Sequence, residues 1–108
     1  MAQNFRRYTS NDVGASAATL FIADSYDTIV GISLANVTAS AINVSVYIND
    51  GANDIYLVKD APIPQGSQLQ VLDGGAKYVV QTGDALKVVS DTASSVDIWV
   101  STVDAIST

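Results

Sequence analysis

The clearest pattern in the chain is a pair of alternating stretches within residues 28–48, TIVGISLANVTASAINVSVYI. In the first stretch Val30, Ile32 and Leu34 are predicted to share one side, because successive side chains of a strand face opposite sides. The apolar side of the second stretch consists of Ile42, Val44, Val46 and Ile48. The link between them, residues 36–40, is rich in turn formers. The pattern therefore predicts a β-hairpin whose apolar side begins a hydrophobic core.

Shorter alternating stretches follow and precede this hairpin, separated by turn signals. Two prolines, Pro62 and Pro64, favour an edge strand or a crossing between sheets, because proline cannot donate to a ladder. Regularly spaced short strands are typical of a sandwich or small barrel. We predict an all-β domain over residues 17–108: a single β-sandwich, jelly-roll or immunoglobulin-like, of about eight antiparallel strands. The further strands are predicted at residues 19–22, 55–59, 67–72, 77–81, 86–90 and 96–103.

The first 16 residues lack this periodicity. They contain both arginines of the chain, Arg6 and Arg7, between Phe5 and Tyr8. One interpretation is a loose terminal tail. The other is an extended arm that becomes ordered on a neighbouring subunit, through arginine–carboxylate pairs and burial of the aromatic rings. We predict an extended N-terminal arm over residues 1–16.

The composition excludes several classes of function. All eleven acidic residues are aspartate, and the chain contains no cysteine and no histidine. Disulfides and thiolate metal sites are therefore excluded, and the usual general base is missing. A net charge of −6 argues against nucleic acid or an anionic membrane as a partner, since phosphate contacts need clustered cations. We also find no apolar stretch near the roughly 20 residues of a spanning helix and no apolar region of a secretory signal, so Sec export is not expected.

The carboxylates offer two candidate chemistries. Residues 49–54, NDGAND, contain enough side-chain oxygens to hold a hard cation such as calcium. They lack the spacing of an EF-hand, and a hairpin turn explains them better. The other aspartates are scattered over turns, and no spacing selects two of them as an acid/base pair. We therefore predict that the protein is not an enzyme and that it has no cofactor and no metal site.

Large side chains also occur on the side of the strands that faces away from the predicted core. So many of them on a small domain indicate a second buried surface. Packing between subunits, a core that uses both sides of a sheet, and a platform on which sugars stack all remain open. The outward set is Ile29, Tyr47, Tyr56, Val58, Leu72, Val89 and Trp99. The predicted partner interface is Phe5, Arg6, Arg7, Tyr8, Tyr47, Val89 and Trp99.

Four segments carry a resemblance: NFRRYTSNDVG at the start, the LANVT and INVSVYI hairpin, IYLVKDAPIP with the following VLDGG, and QTGDALKVVS before the last strand. In them the chain resembles small β-rich structural proteins of tailed bacteriophages, particularly those of marine cyanobacterial hosts. These are motifs of a fold and not of an active site.

The resemblance implies a non-enzymatic virion protein, made in the host cytoplasm and present in many copies as a capsid decoration or as part of the neck or tail. Its partners would be other virion proteins and further copies of itself, as a homo-oligomer. The alternative is a receptor- or glycan-binding module of a tail fibre or adhesin, with Trp99 and the tyrosines as stacking surfaces.

Overall fold

The computed structural model describes residues 4–23, 27–71 and 77–104, and these residues form nine β-strands and no helix. The all-β class predicted from the alternation is confirmed. The strands are β1 (Asn4–Val13), β2 (Ala18–Ile22), β3 (Asp27–Asn36), β4 (Ile42–Asn49), β5 (Asp54–Ile63), β6 (Gln68–Gln70), β7 (Tyr78–Val80), β8 (Ala85–Ser90) and β9 (Val96–Asp104).

The strands form two antiparallel sheets. Sheet I has the order β1-β9-β3-β6, with β7 also paired to β3, and sheet II has the order β2-β8-β4-β5. Because β9 takes one side of β3, both β6 and β7 lie on the other side, against residues 33–35 and 27–29 respectively. They are two parts of a single edge position, interrupted by the segment between them.

This strand order identifies the type of sandwich. With β6 and β7 counted as one strand, the sheets run 1-8-3-6 and 2-7-4-5, which is the order of a jelly roll. In an immunoglobulin-like sandwich the first two strands would lie in the same sheet, whereas here β1 and β2 lie in different sheets. Of the two sandwich types that the sequence leaves open, the structure has the jelly roll.

The core lies between the two sheets and is built largely from the predicted alternation. In β4, Val44 and Val46 are fully buried, and in β9 Val96 and Val100 are fully buried. Leu86 and Val88 of β8 are buried in the same cluster. The inward sides of both sheets are thus apolar, which leaves their outward sides to contact solvent or a partner.

One part of the predicted hairpin is wrong. Ile29 is fully buried and Val30 is 37% exposed, the reverse of the prediction. A register shift in the pairing of β3 with β9 lies between Ile29 and Gly31 and inserts one extra residue into β3. Such a bulge reverses the side that the preceding residues face, so the alternation holds only from Ile32 onward.

The segment predicted as an N-terminal arm contributes the ninth strand. Residues 4–13 form β1, which pairs antiparallel with β9 of the same chain at the edge of sheet I. Tyr8 points inward and stacks on Phe21, with 4.5 Å between the ring centroids. These residues therefore belong to the sandwich, as an edge strand. A contact of this segment with a neighbouring subunit stays a prediction.

Candidate interaction surfaces

The outward side of sheet I carries an exposed tryptophan, and we call this surface the Trp99 face. Trp99 lies between two buried residues of β9, so its side chain points away from the core and is 51% exposed. Thr9 of β1 and Ser33 of β3 are its partners on either side. The guanidinium carbon of Arg7 lies 5.3 Å from the centroid of the indole ring, a distance typical of a cation–π contact.

A cleft opens beside Trp99 where β1 departs from regular pairing. The register of β1 and β9 shifts between Ser10 and Val13, and Asp12 adopts a positive φ of 55°. The amide of Asp12 donates to Oδ1 of Asp97 at 3.1 Å, which closes the bulge. The resulting cleft has a volume of about 480 Å3, within the range of small-molecule sites. Its lining consists of Arg7, Thr9, Ser10, Asn11, Asp97, Ile98 and Trp99.

The outward side of sheet II carries a pair of tyrosines, and we call this surface the Tyr47 face. The ring centroids of Tyr47 and Tyr56 are 5.0 Å apart, and Nζ of Lys59 lies 4.5 Å from the centroid of Tyr56. Lys87 of β8 is the partner of Tyr47 on its other side. As a result Tyr47 is only 8% exposed, although it points away from the core.

The surroundings of Tyr47 disfavour its ionised form. Burial raises the pKa of its hydroxyl above the ordinary value of 10.0, and the nearby charge of Asp54 raises the pKa further, followed by Tyr56. Removing water and adding a negative neighbour both oppose a phenolate. Tyr47 is therefore held neutral as part of the folded surface.

The residues predicted as a partner interface are distributed over different parts of the molecule. Arg7 and Trp99 are in contact on the Trp99 face, whereas Tyr47 and Val89 lie on sheet II, where Val89 is half-buried opposite Ser45. Tyr8 is half-buried against the core, and Arg6 is exposed. The side chain of Phe5 lies outside the described part of the structure. The alternation therefore correctly predicted that Tyr47 and Trp99 point away from the core. It did not predict that neighbouring side chains cover Tyr47 and leave Trp99 exposed.

Five residues that line the cleft were not predicted as site residues: Thr9, Ser10, Asn11, Asp97 and Ile98. Asn11 and Thr9 approach Trp99 only through the pairing of β1 with β9, across about ninety positions of the chain. Asp97 precedes Trp99 by two residues in the same strand, so the period of two indicates that both side chains lie on the same side of the sheet. The bulge at Asp12 has no comparable signal.

Residues 49–54 form the hairpin turn that was the preferred interpretation of this segment. Oδ1 of Asp50 accepts from the amides of Asn53 at 2.8 Å and Ala52 at 3.0 Å, and these hydrogen bonds lower its pKa. Nδ2 of Asn49 donates to Oδ1 of Asp54 at 2.7 Å, and Gly51 supplies a φ of 98°. Among the described residues, no group of three or more acidic, histidine or cysteine side chains is arranged to hold a metal ion.

None of the described residues forms a helix long and apolar enough to cross a membrane.

The fold is similar to that of a known assembly protein. A solved structure from work on Bacillus endospore appendages, described as a novel family of disulfide-linked pili, matches with a TM-score of 0.52 and 15% sequence identity. The match covers 94% of this chain and 84% of that chain. At this identity the likeness concerns the fold. No protein-family model and no curated protein matches this sequence.

Proposed function

We propose that this chain is a non-enzymatic structural subunit that assembles with further copies of itself, and that its assembly forms part of a tailed-phage virion. One finding supports the structural role: the similar fold belongs to a structure from work on endospore appendages described as pili. The neighbour is described as disulfide-linked. This chain has no cysteine, so its own assembly cannot be held by disulfides.

The sheet edges indicate where a further copy would attach. A strand edge presents unpaired backbone groups that can pair with another chain, and proteins protect such edges with bulges, prolines or short strands. The β5 edge has two register shifts against β4, a positive φ of 51° at Asp60, and Pro62. The strands β2, β6 and β7 are only 5, 3 and 3 residues long. These four edges are therefore protected.

The edge of β1 is interrupted by a bulge only beyond Ser10, and the regular stretch before that bulge is the observation that carries the proposal. Seven consecutive pairs, from Asn4 with Asp104 to Ser10 with Ile98, follow one regular register, and β9 occupies only one side of the strand. No other strand among residues 4–23, 27–71 and 77–104 pairs with its other side, which can therefore accept a strand from a second copy, as in β-augmentation. The arginines Arg6 and Arg7 lie on this strand in a protein with a net charge of −6, so an acidic neighbour is attracted and not repelled.

The virion setting rests on the resemblance of the sequence to phage structural proteins. In that setting the protein is a multi-copy component of the capsid surface, the neck or the tail, and residues 1–16 contact other virion proteins. Mass spectrometry of purified particles tests this part of the proposal. The protein should be present at high stoichiometry, and its absence from virions would end the phage assignment while leaving self-assembly open.

Sedimentation velocity over a range of concentrations tests self-assembly. The intact chain should form oligomers, and the double variant Arg6→Asp/Arg7→Asp should remain a monomer because it replaces the attraction of two cations to the net negative charge of the second copy by repulsion. The matched control is Lys59→Asp/Lys87→Asp, which makes the same change in charge on the Tyr47 face. Assembly that is lost equally in both variants would reflect net charge and contradict a role for the β1 edge.

The alternative role expected from the sequence, a glycan-binding module of a tail fibre or adhesin, has one structural observation in its favour. This is the cleft beside Trp99, which a strand added at the β1 edge would leave on the outward side of sheet I.

A further inference from the structure

We propose that the cleft beside Trp99 binds a flat, equatorially substituted pyranose, such as a glucose or N-acetylglucosamine unit of a β-linked saccharide chain. The proposed site consists of Trp99 and Arg7 at one end, Thr9 along the side, and Asn11 and Asp97 at the other end. This proposal goes beyond the structural role. It concerns side chains on the outward side of sheet I, including those of the edge strand β1, and not the backbone groups of that edge.

The aromatic ring supplies the apolar contact that such a sugar needs. The C–H groups on one side of an equatorially substituted pyranose form an apolar patch, and the face of an indole carries the negative potential that attracts them. Trp99 is 51% exposed, so about half of its surface remains in contact with water after folding. Its partner on the β3 side, Ser33, is small, and Gly31 lies one outward position further along that strand.

The polar groups of the cleft match hydroxyl groups. Arg7 offers only donors, Asp97 offers only acceptors, and the amide of Asn11 and the hydroxyl of Thr9 offer both. Vicinal hydroxyls can donate to a carboxylate and accept from a guanidinium at the same time. Asp97 is already fixed by its hydrogen bond from the amide of Asp12, so one of its oxygens is committed and the carboxylate is oriented. Its second oxygen is the one that would accept from a hydroxyl of the ligand.

The charges of the cleft select a neutral ligand. One cation, Arg7, and one anion, Asp97, line the same cleft, so its formal charge cancels. A phosphate or carboxylate ligand would be repelled by the carboxylate of Asp97, and a cationic ligand would be repelled by the guanidinium of Arg7. An uncharged, polyhydroxylated ring with one apolar side is repelled by neither residue. A saccharide is therefore the preferred ligand.

Trp99 also supplies the signal for the test, because it is the single tryptophan of the chain. The intact protein is titrated with cellotetraose and, separately, with chitotetraose while the tryptophan emission is recorded. At least one of them should shift the emission to shorter wavelength and saturate with a dissociation constant of about 1 mM or below. Maltotetraose, whose α-linked chain curves, should bind at least several-fold more weakly.

Variants are compared by calorimetry, which does not depend on the tryptophan signal. Trp99→Ala should weaken binding by about tenfold or more, and Trp99→Phe should restore part of the affinity through its remaining ring. Asp97→Asn, which keeps an acceptor for the Asp12 amide, should weaken binding several-fold. Tyr56→Ala removes an aromatic ring that is 41% exposed on the other sheet and should leave binding unchanged.

Three results would overturn the proposal. The first is no saturable signal with either β-linked tetrasaccharide, and the second is binding that survives Trp99→Ala. The third is an emission shift that appears on concentrating the protein without sugar, because a second copy would then cover the face. None of these results bears on the β1-edge assembly, which is read by sedimentation. Arg7 belongs to both sites, so every variant of the sugar titration leaves Arg7 in place.

Discussion

The two outward faces of the sandwich contain similar side chains but differ in how much of the aromatic ring is exposed. Each has an aromatic side chain on a central strand with a cationic side chain against a ring, yet Tyr47 is 8% exposed and Trp99 is 51% exposed. The neighbours across the strands account for the difference. Tyr47 lies between Tyr56 and Lys87, which are large, whereas Trp99 lies between a threonine and a serine.

This difference shows that an outward position on a strand does not by itself create a surface for a partner. On the Tyr47 face the protein covers its own aromatic surface, so that surface stabilises the fold. On the Trp99 face the ring stays in water, so its burial remains available to a ligand or partner. The residue opposite, and not the residue itself, decides which of the two happens.

The largest expected effect tests whether both faces are backed by one shared core. Val100→Asp and Val44→Asp each place an unpaired charge at a fully buried position and should cost about 3 kcal/mol or more of folding free energy. Ser101→Asp, one residue along on the outward side and opposite Arg7, should change stability by about 0.5 kcal/mol or less. Urea unfolding measures all three. An equally large loss in Ser101→Asp would mean that the Trp99 face is not a surface.

A smaller effect separates the two faces directly. Tyr47→Ala should cost about 2 kcal/mol, because it removes a nearly covered ring and its contact with Tyr56. Trp99→Ala should cost about 1 kcal/mol or less, since half of that side chain is in water already. Chemical denaturation of the two variants at equal protein concentration makes the comparison. Equal losses would remove the distinction between a self-covered face and an open one.

The smallest effect concerns pH. The folded pKa of Tyr47 is raised above 10.0, so the unfolded chain releases this proton first as the pH rises. The contribution of Tyr47 to stability is therefore complete below pH 10.0 and is lost as the pH rises through the folded pKa. Tyr47→Phe should show a shallower alkaline loss of stability than the parent, measured by unfolding at about pH 8 and above pH 10.

The matched control for this pH dependence is Trp99→Phe, which removes no titrating group and should keep the slope of the parent. If Tyr47→Phe and the parent lose stability in parallel, the ionisation of Tyr47 does not act on folding, and the Tyr47 face is less enclosed than the structure indicates.

Most of the fold could be predicted because alternation is a local property. The buried positions of β4 and β9 follow it, and so does the sandwich. Where an extra residue enters a strand, as at Ile29, the alternation reverses without any sign in the sequence. The β1 strand was not predicted, because its side chains are largely polar on both sides. Among those that the structure describes, Val13 lies in the core cluster and Tyr8 packs against it.

Contacts between residues far apart in the chain could not be predicted from the sequence either. Asn36 reads as a turn residue, but it is 5% exposed, and its Nδ2 donates to the carbonyls of Ser40 at 2.7 Å and Ile63 at 2.9 Å. The second bond ties the end of β5 to the hairpin across 27 positions. The Trp99 cleft is similar, since it exists only where the first and last strands meet. A period of two cannot reveal either arrangement.

The central claim, that copies of this chain join through the open edge of β1, is tested most directly by hydrogen exchange of backbone amides at low and high protein concentration. Amides of residues 4–10 that point away from β9 should exchange rapidly in the dilute protein and become protected as it assembles, while the protected edge of β5 stays unchanged. Rapid exchange of these amides in the assembled protein, or protection confined to β5, would contradict the account.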